Sequence, residues 1–130
     1  VVLNGEQLNK SKKDENNSTF NQKLIIFDIL VFDSEYLVGK TFDERVNLID
    51  DIYGKGDSNK EYLYGISDNI YHINPYYGDF KNLFDKYTKI ELVEGLVLKR
   101  RNARLEISGS EKNNHRSQVK CRKPEKNYKY

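Results

Sequence analysis

The sequence predicts an α+β domain, mostly antiparallel sheet with two short helices. Three observations predict it: a continuous apolar run, LIIFDILVFD, over residues 24–33; two segments whose apolar residues recur at helical intervals; and several short strand candidates bounded by Gly, Asp, Ser and Asn. No repeat of solenoid period runs through the chain. Its 130 residues suit one domain.

Residues 1–8 read as a short strand passing through Gly5 and Glu6. NKSKKDENNS, residues 9–18, is polar without apolar periodicity and is expected as a loop. The run over 24–33 is broken only by Asp28 and reads as a buried strand; Asp33, Ser34 and Glu35 then turn the chain into an antiparallel neighbour over 36–38. Thr41 and Glu44 stand at capping-box spacing. Val46, Leu48, Ile49, Ile52 and Tyr53 follow at helical intervals until Gly54 stops the pattern. Residues 55–60 are turn-formers, 62–66 and 70–73 are short strands, and Pro75 ends the second. Phe80, Leu83, Phe84 and Tyr87 recur at i, i+3, i+4 and i+7, predicting a second helix over 79–89. EGLVLKRRNARLE, residues 94–106, opens a strand, 104–107 reads as another, 108–114 as a polar turn, and 118–122 as a last strand.

No apolar run approaches the roughly 18 residues a membrane span needs, and VVLNGEQLNK lacks the order of a signal peptide. A soluble protein of the cytoplasm, or of a nuclear or viral setting, is expected. The single cysteine, Cys121, cannot form an internal disulfide, and His72 and His115 are too far apart for zinc-ligand spacing. Methionine is absent and the first residues read as mid-strand, so a partial domain truncated at both ends is expected over 1–130.

Charge is unevenly placed. Residues 99–130 hold 11 Lys/Arg against 3 Asp/Glu, whereas residues 1–98 hold 11 against 17. A basic end of this kind suits a polyanion, either ligand phosphates or a nucleic-acid backbone; a solvated basic tail is the other reading. Within the 94–106 stretch, alternate side chains share a face, so Glu94 goes with Leu96 and Leu98 while Val93, Val97 and Lys99 point the other way. Gly95 beside the acid leaves room for a ligand or its metal to approach the backbone, or else is a bulge glycine next to a surface acid.

Four pieces, LNGEQL, IIFDIL, VEGLVLK and QVKCRK, occur in an order and rough spacing that resembles the covalent nucleotidyltransferase superfamily of ATP-dependent DNA and RNA ligases and mRNA capping guanylyltransferases. The likeness covers nearly the whole chain and implies an ATP-grasp-like nucleotidyltransferase (adenylation) domain. It implies that Glu6, in Asn4-Gly5-Glu6-Gln7-Leu8, sits by the nucleotide ribose or a metal-bound water; Asn4 departs from the usual Asp. Phe27 matches the aromatic that stacks on the purine, although an apolar strand also explains it as core. Glu94 matches the ligand of the catalytic divalent metal, and Lys120 and Arg122 match two catalytic cations that meet the nucleotide phosphates, Arg122 standing where a Lys is usual. ATP and Mg²⁺ are the implied cofactors, and nicked DNA or RNA the implied partner. A lone carboxylate suits Mg²⁺, which keeps waters and shares phosphate oxygens. Cations aimed at a reacting phosphate supply the large electrostatic share of catalysis. The cations from Lys99 to Arg104 can line the rim where a nucleic-acid backbone approaches.

The nucleophilic lysine that the resemblance implies belongs to a K-x-D-G element upstream of the first piece, and only three residues precede Asn4. Lys12-Lys13-Asp14-Glu15 and Lys55-Gly56-Asp57-Ser58 share the K-x-D spacing without the final Gly and come too late in the order; both are read as solvated loops. The chain alone is therefore not expected to form the lysyl-nucleotide. EGLVLKR resembles polynucleotide ligases more than capping enzymes, and VKCRKPEKNYKY resembles ligase-like proteins of viruses or phages. Two other classes stay open: a non-catalytic nucleic-acid binder in which Tyr76, Tyr77, Tyr128 and Tyr130 stack on bases, and a relic domain without activity.

Overall fold

The computed structural model describes residues 1–106 and 118–124. Among these residues nine strands and two helices follow in the order β1 (Val2–Leu8), β2 (Lys12–Lys13), β3 (Thr19–Phe20), β4 (Lys23–Phe32), β5 (Glu35–Tyr36), α1 (Phe42–Tyr53), β6 (Leu63–Ser67), β7 (Ile70–Ile73), α2 (Phe80–Tyr87), β8 (Gly95–Lys99) and β9 (Gln118–Arg122). The architecture is α+β and mostly antiparallel, as the sequence predicts. Among the described residues no helix is long and apolar enough to cross a membrane.

The main sheet has five strands in the order β1-β4-β7-β6, with β5 added to the end of β4. β4 is its spine, and its sequence is apolar from Leu24 to Phe32 except for Asp28 because both of its faces are covered. On one side Ile26 and Ile29 pack with Leu37 and with Ile49 of α1; on the other Ile25 packs with Phe20 and Leu63. The two-residue turn after β4 uses Asp33 (φ 52°) and Ser34 (φ 64°), the left-handed pair that a tight hairpin requires. The β4–β7 pairing is parallel, Leu24 lying opposite Ile70.

α1 begins at the predicted capping box: Thr41 Oγ1 accepts the Glu44 N–H (3.1 Å) and Glu44 Oε1 accepts the Thr41 N–H (3.1 Å). Gly54, at φ 75°, ends it. Two donors of the first turn are met from far along the chain, Phe42 N–H by the Ala103 carbonyl (2.8 Å) and Asp43 N–H by the Arg101 carbonyl (3.0 Å). Residues 100–105 thus form a strap over the start of α1.

Three expectations change. The polar stretch 9–18 is not simply a loop: Lys12 and Lys13 pair with Phe20 and Thr19 in a small hairpin. Its turn is held by Asp14 Oδ1, which accepts the N–H groups of Asn16 and Ser18 (both 2.9 Å). Of the strand expected over 104–107, residue 107 lies outside the described residues, and 104–106 show a single bridge between Arg104 and Thr41, because the strap gives its hydrogen bonds to the α1 entrance. The second hairpin strand ends at Tyr36, since Leu37 turns inward to the core. The polar turn expected over 108–114 lies outside the described residues.

Candidate functional site

β8 and β9 form a separate antiparallel ribbon in which Gly95 lies opposite Arg122, Val97 opposite Lys120 and Lys99 opposite Gln118. Pleating therefore gives one face to exposed Val97, Lys120 and Arg122 with half-buried Lys99 and Gln118, and the other to half-buried Leu96, Leu98 and Cys121 with exposed Val119. Neither Lys120 nor Arg122 makes a side-chain hydrogen bond or ion pair with another described residue. The Lys123 N–H donates to the Glu94 carbonyl (2.8 Å), carrying the pairing one residue beyond β8. Glu94 thus stands at the mouth of the ribbon, its side chain 62% exposed, with Oε1 3.2 Å from Lys12 Nζ.

Gly95 serves a purpose the sequence reading did not foresee. A Cβ there would collide with the Cys121 carbonyl, so the vacant side is filled by β9 and not left open to a ligand. The glycine lets the two strands close beside the acid.

Glu6, exposed on β1, pairs with Ile25, and Phe27 follows two residues later on β4. Here the register slips: Asn4 lies opposite Asp28 and Gly5 opposite Ile26, so Phe27 is the extra residue of a bulge. Bulges bend a strand and re-aim side chains. Half-buried Phe27 packs on the cluster of Phe20, Ile25 and Leu63, and Leu92, on the approach to Glu94, packs on the same cluster. One apolar cluster therefore links β1, β4 and the segment leading to the ribbon. No hydrogen bond or ion pair between described residues ties Glu6 to Glu94, Lys120 or Arg122. Two surface hollows, about 340 Å³ against α1 at Leu37, Arg45 and Leu48 and about 440 Å³ around Asp57, Gly65 and Tyr71, contain none of the five predicted residues.

Sequence reasoning missed a buried ion pair. Asp28 and Arg45 are 8% and 7% exposed, and the guanidinium donates from Nε to Oδ1 (2.7 Å) and from Nη2 to Oδ2 (3.1 Å). The lone acid inside an apolar strand was the signal, because an unpaired buried carboxylate is too costly to keep. Lys99 lies nearby with its ammonium 4.7 Å from the Phe42 ring centroid. Burial pushes that ammonium below its ordinary value; Asp28 opposes the shift and Arg45 adds to it.

The basic block after β8 is largely committed within the fold. Arg101 donates to Asp43 Oδ2 (2.8 Å) and covers the Tyr77 ring at 4.6 Å, and Arg104 donates to the Gly39 carbonyl. Arg100 alone of the four cations from Lys99 to Arg104 is without a partner among the described residues. The rim expectation therefore narrows to Arg100. Tyr76 is also engaged, its hydroxyl 2.9 Å from that of Tyr87. Tyr128 and Tyr130 lie outside the described residues. Of the two K-x-D segments, Lys12-Lys13-Asp14-Glu15 is no free loop: Asp14 and Glu15 each accept a 2.9 Å bond from Lys60.

The family model described as the ATP dependent DNA ligase domain matches residues 2–119. The chain belongs to that family. No curated protein and no solved structure gives a match. The matched stretch of this ligase domain contains Glu6, Phe27 and Glu94 and ends one residue before Lys120. Membership makes ATP the nucleotide of the family and favours a ligase over a capping enzyme, and the α+β fold agrees with a ligase adenylation domain.

Proposed function

We propose that this ligase domain binds ATP for DNA nick sealing, with Phe27 against the purine, Glu6 at the ribose, Glu94 at the metal, and Lys120 and Arg122 on the phosphates. The observation that carries the reading is the register of the ribbon: it puts Lys120 and Arg122 on one open face with Arg122 opposite Gly95, so that Glu94 stands at the adjoining mouth of the ribbon, on the alternate side of the pleat.

Among the described residues no three His, Cys, Asp or Glu side chains gather into a metal cage. Mg²⁺ takes one or two protein carboxylates and completes its shell with water and substrate phosphates. Glu94 offers this: one oxygen faces Lys12, and the side chain is open to solvent. When bound, the metal would supply Lewis-acid polarisation of phosphate oxygens. The chain's own groups do the rest. Lys120 and Arg122 balance the charge that grows on the α-phosphate and the departing pyrophosphate. Phe27 offers a flat apolar surface to the base. No K-x-D-G lysine occurs within these residues, so we assign them binding and charge stabilisation and not the nucleophilic attack.

The test is equilibrium binding of ATP, GTP and adenosine to the chain with and without Mg²⁺. ATP binding that requires Mg²⁺ and weakens in Lys120→Ala and Arg122→Ala is expected. A preference for GTP, or ATP binding indifferent to both cations, would overturn the assignment. Nicked DNA and nicked RNA duplexes, compared at one salt concentration, decide the polynucleotide.

A further inference from the structure

Arg45 joins three stretches of chain through one side chain, beside the backbone bonds that tie the strap to Lys40 and the α1 entrance and the apolar packing of Leu37 and Ile49 on β4. Its Nε and Nη2 grip Asp28, the residue directly after Phe27 on β4. Its Nη1 donates to the Lys40 carbonyl (2.7 Å) and reaches the Ala103 carbonyl (3.4 Å). Ala103 belongs to the strap that continues from β8, and its carbonyl also accepts the Phe42 N–H. The Phe42 ring lies between two cations, 5.8 Å from the Arg45 guanidinium and 4.7 Å from Lys99 Nζ at the end of β8. On the β4 side, Asp28 Oδ1 accepts the Ile29 N–H (2.8 Å), so the same carboxylate pins the backbone just past the Phe27 bulge.

Such a pair is a poor choice if stability were its only purpose. Desolvating two charges costs about as much as their attraction returns, and apolar residues of similar volume often serve equally well. What a planar fork adds is fixed distance and angle. We infer that Arg45, locked to Asp28, is a positioning residue that sets the span between Phe27 on the sheet and the cationic face of the β8–β9 ribbon. The inference rests on the nucleotide site proposed above and deepens it: the pair makes purine and phosphates felt together as one ligand. Adenosine needs only the Phe27 end, whereas ATP needs both ends at the correct separation.

The experiment compares the wild-type chain with Asp28→Leu/Arg45→Met, which removes both charges together, and with Arg45→Lys, which keeps the charge and loses the fork. Affinities for adenosine and ATP in Mg²⁺ are measured beside the urea midpoint. Both variants are expected to bind adenosine within about twofold of wild type and ATP at least about tenfold more weakly, the size of effect typical of coupled neighbours. Folded variants that keep the wild-type ratio of ATP to adenosine affinity, or lose both ligands equally, overturn the inference. Wild-type amide exchange decides the case where the variants unfold: ATP, and not adenosine, should slow Ile29, Phe42 and Asp43 together, and independent responses overturn it. A wild type that binds ATP no better than adenosine defeats the site assignment itself, and this inference with it.

Discussion

Lys12 Nζ stands 3.2 Å from Glu94 Oε1, so a hairpin lysine occupies the carboxylate to which the proposed site gives a metal. Both groups are partly solvated, the side chains being 29% and 62% exposed, and such pairs contribute at most about 1 kcal/mol. Lys12→Ala should therefore tighten the apparent Mg²⁺ affinity of ATP binding by no more than about fivefold. The gain should fade as ionic strength rises. A Mg²⁺ titration that is unchanged at low salt would separate Lys12 from the metal position.

Phe27 bears on both packing and the proposed base contact, and Phe27→Leu separates them. Its half-buried ring rests on Phe20, Ile25 and Leu63, an apolar setting that leucine still fills, so the unfolding free energy from urea titration should fall by less than about 1.5 kcal/mol. Loss of a stacking surface should weaken adenosine binding by about 1 to 3 kcal/mol. Unchanged adenosine affinity would return Phe27 to a purely structural role.

Lys60 predicts a pH dependence. Its side chain, 5% exposed, is bonded to Asp14 and Glu15 and lies 4.8 Å from the Phe20 ring. Burial by itself would raise both carboxyl groups, but the bonds to Lys60, to the Asn16 and Ser18 amides and to the Tyr62 hydroxyl outweigh it and hold both below their usual values. Burial likewise opposes the Lys60 charge, and the two acids overcome it to raise the ammonium. Depressed carboxyl groups contribute stability that is present above their unfolded values, near 4, and lost as pH falls through the lower folded ones. A raised ammonium contributes stability present below about 10.4 and lost as pH climbs through the higher folded value. The difference in urea midpoint between wild type and Lys60→Met should be widest at neutral pH and shrink at both ends. A difference independent of pH would show that the lysine stem and its ring contact carry the effect.

Gly95→Ala tests the closure of the ribbon. The added methyl would meet the Cys121 carbonyl and the Arg122 Cα, both of them backbone atoms that move only if β9 moves. Overpacking of this kind costs about 1 to 3 kcal/mol. Amide protection of β9 should drop, and ATP affinity with it, while α1 amides stay protected. Unaltered protection of Cys121 and Arg122 would show that the strands tolerate a side chain there.

Much of this arrangement was written locally. The capping box at Thr41 and Glu44, the i, i+3, i+4, i+7 spacing from Phe80, and the long apolar run of β4 each show in a short window because the force that forms the element acts over that same window. What escaped depends on partners distant in sequence. Lys12 and Lys13 form a strand of two residues, too short for any periodicity. The strap over α1 is made of carbonyl oxygens, which no side chain advertises. Asp28 announced that a buried cation must exist but not that Arg45 would be the one. Glu94, Lys120 and Arg122 were picked out by resemblance, and the pairing of β8 with β9 that sets Lys120 and Arg122 on one face is not visible in either segment alone.

The parallel seam between β4 and β7 has a consequence in time. Lys23 Nζ reaches Asn69 Oδ1 across a sequence separation of 46 residues, with the β5 turn, α1 and β6 all lying between. Closing a loop of that length costs roughly 3 kcal/mol of chain entropy before any reward returns. During synthesis, one margin of the stickiest strand stays bare until Ile73 has been made, and ribosome-bound chains stopped before that residue are the ones expected to clump or to recruit chaperones.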